Sequence, residues 1–307
     1  PGRPAGLARR APVRIGASGP PLRLPPDKPF FTGRTVSLGK LDMLLAQARW
    51  PRAVVVQGMA GVGKTTLAVH WAHRVADRFP DGVIFTELRG GTRGPATPDE
   101  AMGQVLRGVG VPGDQLPRAE AELAAQCRSL LADRRLLLVL DNATDAGQVR
   151  PLLDAVNAGL VVVTAQRRMP ELAGEDGRHD GDVRVLELRE MSPDEAADLV
   201  AGVLGPGDPR PREERRAVER LSRECGFLPL ALAVAAGALA ENPDVPIAAR
   251  WPRTRTCRSP RPSGRWRTAP ARPTRRRCGP RSTWPTGGCA ATTGPRSGWW
   301  AWPPGRR

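Results

Sequence analysis

The stretch Gly58-Met59-Ala60-Gly61-Val62-Gly63-Lys64-Thr65 constrains this chain more than any other, because it reads G-x-x-x-x-G-K-[ST] between an apolar β-branched run and a helical pattern. Val54-Val55-Val56 leads straight into it, and Thr65-Thr66-Leu67-Ala68 opens a segment with Leu67, Trp71 and Val75 on one helical face. Glycines at this spacing let successive backbone N–H groups face a phosphate, and the helix N-terminus adds the positive end of its dipole. In that geometry Gly58, Gly61, Val62, Gly63 and Thr66 hold the phosphates, Lys64 neutralises the β- and γ-phosphates, and the Thr65 hydroxyl coordinates Mg2+. The plain alternative is a glycine turn with no ligand.

The surrounding pattern agrees with a phosphate-binding loop on an α/β scaffold. Short apolar runs at Ala53–Gln57, Gly82–Leu88, Leu136–Leu140, Leu160–Thr164 and Val183–Leu188 alternate with amphipathic helical stretches. Near-continuous apolar strands separated by helices predict a P-loop-type parallel sheet covered by helices, here over residues 29–190. Thr97-Pro98-Asp99-Glu100 and Ser192-Pro193-Asp194-Glu195 each combine a hydroxyl N-cap, a proline at the first helical position and a glutamate at the third. Both are capping boxes that start helices. After 191 the strand pattern ends and helices are predicted over 193–204, 211–224 and 228–240, a small all-helical subdomain over 191–250. The run Leu228–Ala240 is about half of the ~20 residues a membrane-spanning helix needs and reads as a buried helix.

Further candidates cluster at strand ends. Leu136-Leu137-Leu138-Val139-Leu140-Asp141 is an apolar strand ending in an acid, the Walker B pattern, which puts Asp141 beside the same Mg2+ as Thr65. With Lys64, Asp141 forms the expected catalytic pair. Val161-Val162-Val163-Thr164 is another buried strand with a polar tip, and strand tips converge in an open α/β sheet, so Thr164 is expected to sense the γ-phosphate. Arg167 and Arg168 follow, and they either reach a phosphate or lie in a solvated turn. His70 and His73 share a helix face without an apparent third ligand, a spacing that suits packing or solvent as well as metal.

Charge is unevenly spread over the 307 residues. The net charge is +16, yet residues 251–307 carry 14 Arg and no Lys, Asp or Glu, and residues 1–40 carry 8 basic groups against the single acid Asp27. That leaves residues 41–250 with 25 basic and 30 acidic groups, so the part that looks folded has no general electrostatic reason to bind a phosphodiester backbone. Residues 1–28, rich in Pro, Gly, Ala and Arg, read as a disordered linker. The last segment has no Leu, Ile, Val, Met or Phe but six of the eight tryptophans, a composition that builds no packed core. It is either an Arg/Pro/Trp-rich disordered tail or the product of a reading-frame shift near Arg250. In the alternate frame Gly298-Trp299-Trp300-Ala301-Trp302-Pro303 becomes apolar and helix-like. Cysteines at 127, 225, 257, 278 and 289 form no CxxC pair, which argues for a reducing compartment and against a zinc site. Without a signal-peptide core or a membrane-spanning run, a cytoplasmic location is expected.

The order of these motifs over about residues 25–245 resembles the NB-ARC family of STAND-class P-loop ATPases. Leu24-Pro25-Pro26-Asp27-Lys28-Pro29-Phe30-Phe31-Thr32-Gly33-Arg34 is similar to the family's lead-in, whose Gly-Arg pair lies against the adenine nucleotide, although Thr35 stands where an acid is usual. The P-loop matches through Ala68, and Leu138-Val139-Leu140-Asp141-Asn142-Ala143 resembles the Walker B segment, with Asn142 in place of a frequent second acid. Val161 to Arg168 is similar to the sensor strand, with Gln166 where the family's arginine aligns best. Cys225-Gly226-Phe227-Leu228-Pro229-Leu230-Ala231-Leu232 resembles the Gly-x-Pro motif, in which Pro229 packs on adenine.

The resemblance implies an ATP/ADP-binding molecular switch with Mg2+, slow or absent hydrolysis, and nucleotide-dependent homo-oligomerisation. Its flavour is that of actinobacterial-type transcriptional regulators, in which DNA is contacted through a module outside this chain and no membrane is involved. The family's winged-helix subdomain, whose Met-His-Asp motif holds ADP, has no counterpart in this sequence. Two other classes compete: a non-hydrolysing nucleotide-binding scaffold, favoured by Asn142 and Gln166, and a nucleic-acid binder using the arginine-rich ends, which would show steep salt dependence.

Overall fold

The computed structural model describes residues 22–48, 50–90, 94–172 and 182–250. The elements run β1 (Leu22–Arg23), α1 (Thr35–Leu45), β2 (Ala53–Gln57), α2 (Lys64–Val75), β3 (Val83–Glu87), β4 (Arg89–Gly90), β5 (Gly94–Pro95), α3 (Pro98–Gly108), α4 (Glu120–Leu131), β6 (Leu137–Ala143), α5 (Ala146–Ala155), β7 (Leu160–Ala165) and β8 (Val183–Glu187). Four helices of ten to twelve residues or fewer follow: α6 (Pro193–Leu204), α7 (Arg210–Glu213), α8 (Arg215–Glu224) and α9 (Pro229–Ala240), and then the short α10 (Ile247–Arg250).

Six strands form one parallel sheet in the order β1-β3-β6-β7-β2-β8. The central strands are apolar at nearly every position because both faces are covered. Side chains alternate across a strand, so Val54, Val56, Leu137, Val139 and Val162 pack with Leu41, Leu67 and Trp71 from α1 and α2. Val55, Leu138, Leu140, Val161 and Val163 pack with Met102, Leu106, Leu131 and Leu152 from α3, α4 and α5 on the other face. Burying each such side chain contributes roughly 1.5–3 kcal/mol, which is why the short central strands hold the sheet together. A third core of Met191, Leu199, Val218, Leu221, Leu232 and Leu239 holds the helical subdomain together. Both capping boxes form, at Thr97 with Glu100 and at Ser192 with Glu195.

Several expectations change. Residues 22–28, read as the end of a linker, are part of the fold: Leu22 and Arg23 pair with Val83 and Ile84, Asp27 bonds His70 Nδ1 at 2.9 Å, and the Pro25 carbonyl contacts His73 Nε2 at 2.8 Å. That also settles the two histidines, which pin the lead-in to α2, with Phe31 stacked on His70 at 3.8 Å. No group of three or more His, Cys, Asp or Glu among the described residues could hold a metal. The helix expected over 211–224 breaks at Glu214, whose carboxylate instead accepts the amides of Ile247 and Ala248 and starts α10. The buried helix expected over 228–240 buries one side only, leaving Leu230 and Val234 exposed.

Residues 1–21 and the arginine-rich segment 251–307, with its linker and frameshift readings, lie outside the described residues. Among the described residues no helix is long and apolar enough to cross a membrane. Cys127 and Cys225 are free thiols, and burial pushes Cys127 up to about 12, so it is no nucleophile.

Candidate functional site

The carboxyl end of β2 lies between those of β7 and β8, with Gln57 paired to Ala165 and to Glu187. The P-loop leaves the sheet there. A Cβ on Gly58 would sit 2.4 Å from the Leu188 carbonyl oxygen, so only glycine passes. Gly61 and Gly63 turn through φ 77° and 94°, the left-handed region that side chains disfavour. The Val62 side chain is fully buried and anchors the loop in the core beneath α2. From Met59 to Thr66 no main-chain amide has an acceptor among the described residues. Such a run of amides at the start of α2 is an anion-binding nest.

Lys64 is buried, and its ammonium donates to the carbonyls of Gly58 at 2.9 Å and Met59 at 2.8 Å. Burial lowers its pKa, opposed by the charge of Asp141. A buried cation without a full counter-charge favours an anion beside it. Thr65 follows, its hydroxyl donating to Asp141 Oδ1 at 2.7 Å. Thr66 completes the first turn of α2, half-buried.

Asp141 is buried inside β6, which runs two residues past it to Ala143 instead of stopping before it. Thr164 sits between the loop and β6 because β7 separates β2 from β6. Its hydroxyl, expected to sense a phosphate, is already engaged: it donates to Asp141 Oδ1 at 2.6 Å and accepts the Asn142 amide at 2.9 Å. Asn142 adopts φ 59°, a conformation Asn tolerates better than most residues, and its side-chain amide donates to Asp141 Oδ2 at 3.2 Å. The hydroxyl of Thr65 and the carboxylate of Asp141 are hard oxygen donors side by side, which fits Mg2+, a metal that takes few protein ligands and completes its shell with phosphates and water. Arg167 is exposed beyond the end of β7 and makes no hydrogen bond or ion pair among the described residues, while Arg168 lies 3.9 Å from Glu187.

Two groups outside the sheet reach the loop. The first turn of α9 rests on it: Pro229 Cγ lies 3.7 Å from where a Gly63 Cβ would be, and the Leu230 amide donates to the Gly61 carbonyl at 3.2 Å. Arg34 is the other. Its guanidinium donates to the carbonyls of Val62 at 2.8 Å and Arg189 at 2.6 Å, and its main-chain amide donates to the Glu195 carboxylate. Burial lowers the Arg34 pKa, against the opposing charges of Glu195 and Glu190. Burial pushes the Glu195 carboxyl up, but the amides of Ser192 and Arg34 and the Arg34 charge together hold it below the ordinary value. The contacts of Glu195 with Arg34 and of Leu230 with Gly61 are long-range and leave no signal in the sequence motifs. In the sequence the glutamate reads as a capping residue alone, and the leucine as one position of the Cys225–Leu232 motif with no contact of its own.

This arrangement agrees with the relatives. A family model described as NB-ARC domain matches residues 34–207. Regulatory protein AfsR of Streptomyces coelicolor is 40% identical over 227 residues, covering 72% of this chain and 22% of that protein. Its namesake from Streptomyces griseus is 40% identical over 222 residues, with the same coverages. The chain therefore spans about a fifth of the length of the curated relatives it matches. Among solved structures, Drosophila ORC bound to DNA is similar with a TM-score of 0.50 at 17% identity, covering 69% of this chain and 62% of that one. The Walker-type ATPase of Pyrococcus abyssi has a TM-score of 0.50 at 13% identity, with coverages of 73% and 71%. At these identities the likeness is one of fold, a P-loop ATPase sheet. The family match, by contrast, spans more than half of the sequence and includes every site residue described above except Pro229 and Leu230, so the chain belongs to the NB-ARC domain family.

Proposed function

We propose that this chain is the nucleotide-dependent switch of a longer cytoplasmic regulatory protein, binding ATP or ADP at the P-loop and transmitting the identity of the nucleotide through its helical subdomain. The observation that carries this is the seat of α9 on the loop, with Pro229 against Gly63 and the Leu230 amide on the Gly61 carbonyl. A group that enters the loop acts on the subdomain through those contacts. Switching then requires that the two docked states differ in affinity for ATP and ADP.

Each residue has a task in this reading. The amides of residues 59–66 cradle the phosphates, and Lys64 turns from its loop carbonyls to the phosphate oxygens. Thr65 and Asp141 hold the Mg2+, which when bound neutralises β- and γ-phosphate charge. The hydroxyls of Thr65 and Thr164 both donate to the same Asp141 oxygen and hold the carboxylate in place. Asn142 stands beside it where a carboxylate would orient and deprotonate water. An amide takes no proton, so the chain holds nucleotide far longer than it turns it over. Pro229 offers an apolar face to the base, and Arg167 reaches toward the γ-phosphate from the end of β7. Homo-oligomerisation follows the ATP state, and DNA is met through a module outside this chain.

The test is the nucleotide carried by purified protein, released by denaturation and resolved by chromatography. Stoichiometric ADP that is lost in Lys64→Ala is the expected result. An empty protein that also ignores added Mg-ATP overturns the reading.

A further inference from the structure

The P-loop's carbonyls are held as firmly as its amides are left open. Lys64 takes those of Gly58 and Met59, the Leu230 amide takes that of Gly61, and Arg34 takes that of Val62. A trans peptide is planar, with its C=O and the following N–H pointing in opposite directions. A carbonyl fixed outward therefore fixes the next amide inward. The α9 contact orients the Val62 N–H in this way, and Arg34 orients the Gly63 N–H.

We propose that Arg34 is a positioning residue for phosphate: through the Val62 carbonyl it keeps the P-loop in its anion-cradling shape, and it does not read the base. The inference rests on the nucleotide-binding reading above and deepens it. Arg34 is 8% exposed, and its guanidinium engages the Val62 carbonyl on one side and the Arg189 carbonyl, with Glu190 at 3.4 Å, on the other. Those last two carbonyls belong to the connection between β8 and α6, the passage into the helical subdomain. A planar fork with several donors spans two such groups, and a lysine ammonium does not.

The backbone is arranged to aim this side chain. Arg34 itself adopts φ 59° and ψ 18°, a left-handed conformation that is costly for a side chain of this size. It is held there by the Glu195 carboxylate on its amide. Gly33 precedes it at φ 70°, where a Cβ would lie 2.7 Å from Glu195 Cγ. The Gly-Arg pair is thus a built clasp between the loop and the subdomain passage.

The experiment compares binding of ADP, GDP and inorganic tripolyphosphate by calorimetry in the wild type, Arg34→Met and Arg34→Lys, each checked for cooperative thermal unfolding. A charge-assisted hydrogen bond predicts that Arg34→Met weakens all three ligands by about tenfold or more, with the ADP-to-GDP preference unchanged. Arg34→Lys shows the same pattern with a smaller loss, and it carries the test should Arg34→Met be unfolded. Weaker ADP binding with tripolyphosphate unchanged, a collapsed base preference, or no loss at all overturns the inference alone. A wild type that binds none of the three overturns the nucleotide reading and this inference with it.

Discussion

Asp141 shows how a residue's work depends on neighbours that no motif names. One of its oxygens receives both Thr65 and Thr164, and the other receives the Asn142 side chain. Thr164→Val removes a hydroxyl that is fully buried and bonded twice, while keeping its volume. Losing a hydrogen bond to a charged group costs about 1.5–3 kcal/mol, so the Mg2+-dependent part of nucleotide affinity should fall about tenfold or more. Titrations with and without EDTA check this: affinity in EDTA stays near the wild-type value, and Thr164→Ser recovers the Mg2+ effect. Asn142→Asp is the opposite experiment. Aspartate tolerates φ 59° almost as well as asparagine, so the fold survives and a second carboxylate returns beside Asp141. Phosphate release should rise severalfold, and an unchanged rate would put the barrier elsewhere in the site. The spacing of Gly58, Gly63, Lys64 and Thr65 identifies the loop because contiguous backbone does the binding. Thr164 and Asp141 meet across a strand pair 23 residues apart, and a single sequence carries no trace of that contact.

Elements followed the same division between local pattern and long-range demand. β2 falls where the β-branched run puts it, and α6 begins at its capping box, since both signals are local. β1 is two residues long, too short for any periodicity, and exists because Val83 and Ile84 offer an edge. The break between α7 and α8 is likewise imposed from afar, by the amides of α10 that need the Glu214 carboxylate. Beside it Arg210, 7% exposed, ties the end of α9 to the start of α10 through the carbonyls of Leu239, Asn242 and Val245 while paired to Asp208 at 2.6 Å. The Arg210 hydrogen bonds hold the Asp208 carboxyl below the usual range, against burial that pushes it up. A folded-state pKa below the unfolded value of about 3.9 means that the native state binds fewer protons between the two. The pair's contribution is therefore complete above about pH 4 and is lost as pH falls through the folded pKa. Asp208→Asn should lower the melting temperature at pH 7, and the gap from wild type should narrow as the buffer is taken down toward pH 3. A gap that stays constant with pH would mean that the carboxylate's charge is not what holds the helices.

The sheet and the helical subdomain have separate cores, and the structure joins them at the loop itself, through α9 and the Arg34 clasp. If those contacts couple the two parts, a ligand that enters the loop must stabilise both. Mass action sets the size: ligand at 100 times its Kd adds about 2.7 kcal/mol to the bound state. For a domain of 150–250 residues, each kcal/mol raises the melting temperature by roughly 2–4 °C, so saturating ADP should raise one cooperative transition by about 5–10 °C. Leu230→Asp tests the joint without disturbing a core, because that side chain is 57% exposed and touches the loop at Gly61. Placing a carboxylate beside the phosphate cradle opposes the nucleotide's charge and the docking of α9 together. Differential scanning calorimetry should then resolve two transitions in the variant, with ADP shifting the sheet domain's alone. Were the wild type itself to melt in two steps, with the helical step indifferent to ADP, the subdomain would be a passenger on the nucleotide domain and could not carry a signal from it.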